Sequence, residues 1–96
     1  MTTRIIGLIH LTDTQAFEQY RSRVGATVAA FGGTVSFRGA HLETYWNDLG
    51  CAAFEAVVEL QFPDAETART WRDSPAYQAL IPIRSQAMKL SLFAVE

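Results

Sequence analysis

The chain is poor in the residue types that mark several classes of protein. Its one cysteine, Cys51, excludes an internal disulfide, and we expect it to be a free thiol with no metal bound. No apolar run approaches the roughly 20 residues that a membrane-spanning helix needs, and the run at 5–9 is too short for a signal peptide. The net charge of −2 offers no basic field to nucleic acid or to a membrane surface. These absences predict a cytoplasmic protein with neither kind of partner.

What the chain does contain is an alternation of apolar and polar residues. Its 96 residues are 49% hydrophobic, which predicts one globular domain over 1–96. From Phe54 to Phe62 the apolar side chains recur at every second position, with Glu55 and Glu59 on the other parity. A period of two places the two sets on opposite faces of a sheet. This segment predicts a strand whose apolar face is covered by helices.

The first predicted strand covers 4–11. Apolar residues with helical spacing follow this strand and also follow the third strand. Thr12 with Gln15 forms a capping-box pattern before an amphipathic helix that Gly32-Gly33 ends. A second helix follows the third strand, and a further short helix is expected to begin at Ser74-Pro75. Pro82 is expected to bend or end this short helix. A last strand covers 89–95. The order β-α-β-β-α-β predicts an α+β, ferredoxin-like fold: a four-stranded antiparallel sheet with helices on one face.

The second strand carries the weakest pattern. Val35 and Phe37 share one parity, and we expect them to face the helices, with Ser36 and Arg38 on the opposite face. Gly39-Ala40 resembles a bulge, after which 41–46 is expected to continue the strand. The residues at 47–50 then supply turn chemistry.

The helix-free face of this sheet is too apolar for water to cover it without a free-energy cost. Its expected members include Ile6, Leu8, Val57, Phe93 and Val95. Because most soluble oligomers are closed homodimers, we expect a second copy to pack against this face. The sequence therefore predicts a homodimer formed through the sheet faces.

Three polar side chains are expected to meet at one end of the helix-free face: His10, Arg38 and Glu55. His10 is a candidate for proton transfer, Glu55 for orienting it, and Arg38 for holding an anionic oxygen. Glu59 and Gln61 lie further along the same face as candidate ligand-binding groups. The alternative is structural, with Arg38 and Glu55 forming a cross-strand pair while His10 hydrogen-bonds at the interface.

The helices add three further candidates for ligand binding. Trp71 lies at core spacing, so it either packs in the core or stacks on a ligand. Tyr77 and Arg84 are two helical turns apart, and they either reach the rim of a chamber or form a structural pair. His10 and His41 alone do not make a metal site, because two imidazoles need a third ligand.

The chain resembles the family called "domain of unknown function 1330". The resemblance is strongest from the Phe62-Pro63-Asp64 stretch to Ser74-Pro75 and Tyr77-Gln78, and it extends to Gly32-Gly33 and Arg38-Gly39. That family is similar to the dimeric α/β-barrel superfamily, whose relatives include cofactor-free monooxygenases, isomerases and haem enzymes. The resemblance therefore implies a homodimer. Gln61 stands where relatives commonly have Glu, and an amide cannot titrate.

These observations favour a homodimer that binds a small apolar or aromatic molecule. Whether it also converts that molecule without a cofactor, as a monooxygenase or isomerase does, is left open by the sequence. The competing interpretation is a noncatalytic dimerisation or regulatory module, in which the mixed sheet face is only an interface. The sequence does not decide between them.

Overall fold

Residues 2–96, the part of the chain that the computed structural model describes, form four strands and four helices. The strands are β1 (Thr3–Leu11), β2 (Thr34–Ala40), β3 (Ala56–Phe62) and β4 (Met88–Val95). The helices are α1 (Thr14–Ala29), α2 (Ala65–Asp73), α3 (Pro75–Gln78) and α4 (Ile81–Ala87). The sheet is antiparallel in the order β2-β3-β1-β4. The predicted α+β, ferredoxin-like fold is confirmed.

The core lies between the sheet and the helices that cover one of its faces. On β1, Ile5 and Ile9 are buried, while Arg4 and His10 are exposed on the opposite parity. The two parities of β1 and β3 therefore face the predicted sides: the buried parity faces the helices, and the parity that includes Arg4, His10 and Glu59 faces away from them. The largest buried apolar side chains are Ile5, Ile9, Tyr20, Val24, Val28, Leu60, Phe62, Trp71, Tyr77, Leu80 and Met88.

Asp13, not Thr12, caps the start of α1, so the predicted capping box is wrong. The Asp13 carboxylate accepts a hydrogen bond from the amide of Ala16 at 3.0 Å. Thr12 is engaged elsewhere, because its hydroxyl donates to the carbonyl of Gln86 at 2.8 Å. The Ala16 amide, together with the Gln86 side chain, holds the pKa of Asp13 below its ordinary value.

The region after β3 forms three short helices. Asp64 caps α2 by accepting from the amide of Thr67, and Ser74 caps α3 ahead of Pro75, as predicted. Pro82 lies in the first turn of α4, so it stands at the beginning of a helix, where the sequence led us to expect a bend or an end. The first turn tolerates proline because its amide has no partner within the helix. No helix within residues 2–96 has the length and apolar character needed to cross a bilayer.

The bulge in β2 falls at Ser36 and not at the predicted Gly39-Ala40. Val35 pairs with Leu60 and Phe37 pairs with Glu59, so one extra residue is accommodated between them. Beyond Ser36 the parity of the strand is reversed. Phe37 consequently lies on the helix-free face, which corrects the expectation that it faces the helices.

The connection at 41–55 is irregular, so the predicted strand at 41–46 is wrong. The last ladder hydrogen bond runs from the amide of His41 to the carbonyl of Glu55 at 2.9 Å. The Asn47 side chain then bonds both the amide and the carbonyl of Cys51, at 2.9 Å each, and fixes the turn. This turn leaves four large apolar side chains exposed: Leu42, Tyr45, Trp46 and Leu49.

Candidate functional site

The candidate side chains divide between the two faces of the sheet. Four of them share the helix-free face: His10, Glu55, Glu59 and Gln61. Arg38 lies on the helix side of β2, and three others belong to the helix layer: Trp71, Tyr77 and Arg84. The sequence-based set is therefore not one cluster.

On the helix-free face, His10 and Glu55 form a close pair. The His10 Nδ1 atom lies 3.0 Å from Glu55 Oε2, and the backbone amide of Leu11 donates to Glu55 Oε1 at 3.0 Å. The hydrogen bond from His10, followed by the one from Leu11, lowers the pKa of Glu55. Both side chains are about half exposed, at 46% and 48%. This geometry matches an oriented imidazole, but no wall of the described chain encloses it.

Glu59 is held by its neighbours further along the same face. The Ser36 hydroxyl shares its one hydrogen between Glu59 Oε2, at 2.7 Å, and the Glu59 carbonyl oxygen, at 3.1 Å. Arg4 lies 3.6 Å from the other carboxylate oxygen, and Gln61 Nε2 is 3.5 Å from Oε2. The contacts of Ser36 with Glu59 fasten the bulge to β3.

Arg38 does not join His10 and Glu55, which corrects the predicted cluster. Its register partner is Val58, whose side chain packs against the core on the helix side. The bulge at Ser36 is the cause, because one extra residue moves every later side chain to the other face. Arg38 instead borders a cavity between the sheet and α1.

This cavity measures about 280 Å³ and its walls are predominantly apolar. The sheet supplies its floor, and α1 supplies its roof. Two members of the lining, Arg21 and Arg38, are exposed side chains and mark its mouth. The other side chains that form its walls include Ile9, Phe17, Tyr20, Val24, Val35, Val58, Leu60, Trp71, Met88, Leu90 and Leu92.

Trp71 is both a core residue and part of the cavity wall. It is 2% exposed, and its ring centroid lies 5.3 Å from that of Phe62 and 4.4 Å from that of Tyr77. Its indole nitrogen donates to the Thr27 hydroxyl at 3.1 Å. Because its indole N–H already has a hydrogen-bond partner, Trp71 contributes only its apolar ring surface to the cavity wall.

A chain of hydrogen bonds leads from the helix layer to the cavity wall. Arg84 Nη1 donates to the Tyr77 hydroxyl at 2.8 Å, and the Tyr77 and Tyr20 hydroxyls are 3.0 Å apart. Tyr77 is 1% exposed, so the pair that it forms with Arg84 is internal and not at the rim of a sheet-face chamber. Burial, aided by Tyr77, raises the pKa of Tyr20 far above its ordinary range, and the phenol stays protonated at neutral pH.

Reasoning from the sequence missed Tyr20 and Arg21 as lining residues. Tyr20 fits the apolar stripe of α1, so its periodicity indicates core packing and gives no sign of a cavity. Gly7 is the sequence feature that could have indicated a cavity over the sheet floor. It pairs with both Val58 and Leu92 in the cavity floor and has no side chain of its own.

Solved structures share this fold at low sequence identity. A protein of unknown function from Rhodopseudomonas palustris, RPA0582, has a TM-score of 0.81 at 16% identity, over 98% of this chain and 80% of that one. SnoaB, a cofactor-independent oxygenase from Streptomyces nogalater, has a TM-score of 0.72 at 11% identity, over 99% and 91%. A dimeric ferredoxin-like protein of unknown function from Thermobifida fusca has 0.68 at 20%, over 99% and 90%.

Sequence comparison gives the family. No functionally curated protein matches the chain. The family model described as "Domain of unknown function (DUF1330)" matches residues 3–96. This match covers the whole βαββαβ unit, from the start of β1 to the residue after β4. The chain belongs to the DUF1330 family.

Proposed function

We propose that the protein binds a small apolar or aromatic molecule in the cavity beneath α1. The observation that carries this proposal is an apolar cavity of about 280 Å³ in a core of modest size. An apolar cavity of about 150 Å³ is large enough for benzene, so this one suits a molecule of roughly two fused rings. Ligand sites are typically apolar cavities with a few well-placed polar groups.

Tyr20 is the polar group that borders the cavity from within the core. The Arg84 guanidinium can only donate, so the Tyr77 oxygen accepts from it. If Tyr77 donates its own hydroxyl hydrogen to the Tyr20 oxygen, the Tyr20 hydroxyl hydrogen is left for a ligand. With that arrangement, the expected ligand carries a carbonyl or hydroxyl oxygen that accepts a hydrogen bond from the neutral Tyr20 phenol.

The fold supports cofactor-free conversion as the catalytic form of this proposal. SnoaB, which is a cofactor-independent oxygenase, has the same architecture. An electron-rich aromatic ligand that reacts directly with dioxygen fits such a site. Binding without turnover is one alternative. The other is a noncatalytic dimerisation or regulatory module, in which the mixed sheet face is only an interface.

We further propose that a second copy covers the helix-free face. Phe37, Phe93 and Val95 are 56%, 46% and 42% exposed there. Strand spacing and rise give the sheet face only roughly 400 Å², whereas a stable interface buries about 800 Å² per partner. The exposed apolar side chains of the connection at 41–55 supply further area beside the sheet. The similar protein from Thermobifida fusca is dimeric, which agrees with this assembly.

The binding proposal is tested with 2-naphthol, a neutral bicyclic phenol, followed by thermal unfolding and calorimetry. Val24→Phe places a larger side chain in the cavity roof, and Ala26→Phe adds the same ring at an exposed position of the same helix. We expect 2-naphthol to raise the Tm of the unmodified protein and of A26F but not of V24F. An equal rise in all three, or in none, contradicts the assignment.

Catalysis is tested in the same samples by oxygen uptake. Consumption of dioxygen above the buffer rate with 2-naphthol, lost in V24F and kept in A26F, supports the oxygenase form. Binding without oxygen uptake favours the noncatalytic module for this ligand.

A further inference from the structure

We infer that the cavity takes an amphipathic acid: an apolar body inside, and a negatively charged group held at the mouth by Arg38 and Arg21. This inference rests on the proposed function, because it names the ligand class of the same cavity. Its starting point is the reversed parity of β2, which brings Arg38 to the cavity and away from the helix-free face.

The charges around the cavity all have one sign. Arg21 and Arg38 are the charged side chains among its lining residues, and no Asp or Glu in the described chain lines it. The protein as a whole has a net charge of −2, so this positive mouth runs against the overall balance. Two guanidinium groups beside an apolar cavity favour carboxylate, sulfonate or phosphate groups, because each can donate two parallel hydrogen bonds.

The two arginines differ in how free they are to bind. Arg21 lies 3.6 Å from Glu18, in a pair exposed to solvent on both sides. Such exposed pairs are weak, so Glu18 competes little with a bound anion. The Arg38 backbone belongs to the sheet ladder, but its guanidinium forms no hydrogen bond or ion pair with any residue of 2–96. We therefore assign the principal contact to Arg38 and a supporting one to Arg21.

The bulge keeps this arrangement in place. Ser36 bonds both the side chain and the backbone carbonyl of Glu59, and this fixes the point where β2 changes parity. Without the extra residue, the side chain after Phe37 points away from the cavity. The position of the anion site is thus a property of the strand pairing and not of one flexible side chain.

The test compares 2-naphthoate with 2-naphthol, which share the same ring system and differ in charge. Arg38→Gln removes the principal contact. Arg21→Gln and Arg23→Gln form a matched pair, because both remove one charge from exposed positions of α1 but only Arg21 borders the cavity. Calorimetry at low ionic strength gives the affinity of each variant for each ligand.

We expect R38Q to weaken 2-naphthoate binding by about tenfold, R21Q by about threefold, and R23Q by less than about twofold. Affinity for 2-naphthol should stay within about twofold in all three variants. Added salt should weaken 2-naphthoate binding to the unmodified protein and leave 2-naphthol unchanged, which tests the inference without any variant.

The possible failures are distinguishable. If 2-naphthol binds but 2-naphthoate binds R38Q and the unmodified protein equally, the cavity stands and the anion site is overturned. If neither compound binds the unmodified protein, the proposed function is overturned and the anion site with it. If R21Q and R23Q weaken 2-naphthoate binding equally, the effect is one of net charge, and the supporting role of Arg21 is overturned.

Discussion

The buried hydroxyl groups of Tyr20 and Tyr77 contribute to the stability of the fold, and Tyr20 also borders the cavity. Tyr77 receives a hydrogen bond from Arg84 and shares one with Tyr20, whereas the Tyr20 hydroxyl has Tyr77 as its protein partner within residues 2–96. Removing the central hydroxyl leaves two partners unsatisfied, and removing the terminal one leaves only part of Tyr77 unsatisfied. The two residues should therefore respond differently to the same substitution.

We predict that Tyr77→Phe lowers the free energy of unfolding by about 1–3 kcal/mol and Tyr20→Phe by about 0.5–1.5 kcal/mol. Urea denaturation at constant pH measures both. Tyr45→Phe, at an exposed position of the 41–55 connection, is the control and should change stability little. A larger loss for Tyr20→Phe than for Tyr77→Phe contradicts the order of hydrogen bonds from Arg84 through Tyr77 to Tyr20.

Two glycines provide a second contrast at the scale of one residue. A Cβ atom at Gly7 meets Val58 Cγ1 at 2.7 Å and Leu92 Cδ1 at 3.1 Å, whereas a Cβ at Gly25 in α1 meets nothing within 4 Å. We predict that Gly7→Ala destabilises the protein by about 1–3 kcal/mol through overpacking. Gly25→Ala should stabilise it by about 0.5–1 kcal/mol through helix propensity. Chemical denaturation checks both signs, and a neutral Gly7→Ala means that the sheet floor has spare room.

At the scale of the element, two helix starts depend on ionised carboxylates. Hydrogen bonding from Ala16 lowers the pKa of Asp13, and hydrogen bonding from Thr67, through its side chain and its amide, lowers the pKa of Asp64. A carboxyl group whose pKa is lower in the folded than in the unfolded state stabilises the folded state at pH values above its unfolded pKa. That contribution is lost as the pH falls through the folded pKa.

We therefore expect stability to decline as the pH falls below the ordinary carboxyl range. In the double variant Asp13→Asn, Asp64→Asn the decline should be shallower, because asparagine also caps helices but does not titrate. Asp48→Asn, which lies outside both helix starts, is the control and should keep the original slope. Thermal unfolding across acidic pH measures the slopes, and equal slopes in all three proteins contradict the assignment.

The elements also show how far the sequence determines the structure. The prediction for β3 is correct over 56–62, because its alternation is unbroken there and it pairs with β1 and β2 on the same parity, but the predicted start at Phe54 is two residues too early. β2 was not, because Ser36 is a small polar residue that fits either face and its bulge depends on Glu59 of the next strand. Arg38 was thus recognised as a candidate for anion binding but placed on the wrong face.

The cavity could not be predicted for a different reason. Its walls come from apolar residues of α1, α2 and the sheet that each look like ordinary core residues in the sequence. The empty volume arises from the spacing between layers, which no local pattern encodes. The pairing of His10 with Glu55 was predicted, because register alone brings those two side chains together.

At the scale of the whole molecule, the helix-free face and the connection at 41–55 predict association. Phe93→Glu should bury a charge in the proposed interface and shift the protein from dimer to monomer at micromolar concentration. Gln19→Glu adds the same charge at an exposed position of α1 and should leave the dimer intact. Sedimentation equilibrium measures the mass of each protein. An unmodified protein that sediments as a monomer contradicts the dimer but leaves the cavity within each chain unaffected.

The location of the ligand site is tested most directly by methyl NMR spectroscopy with added 2-naphthoate. The cavity is lined by methyl groups of Val24, Val58 and Leu90, whereas Ile6 and Leu8 lie on the opposite face of the sheet. We predict saturable shifts at the first three residues and much smaller ones at the last two. Shifts confined to Ile6 and Leu8, with the cavity methyls unmoved, would contradict the account.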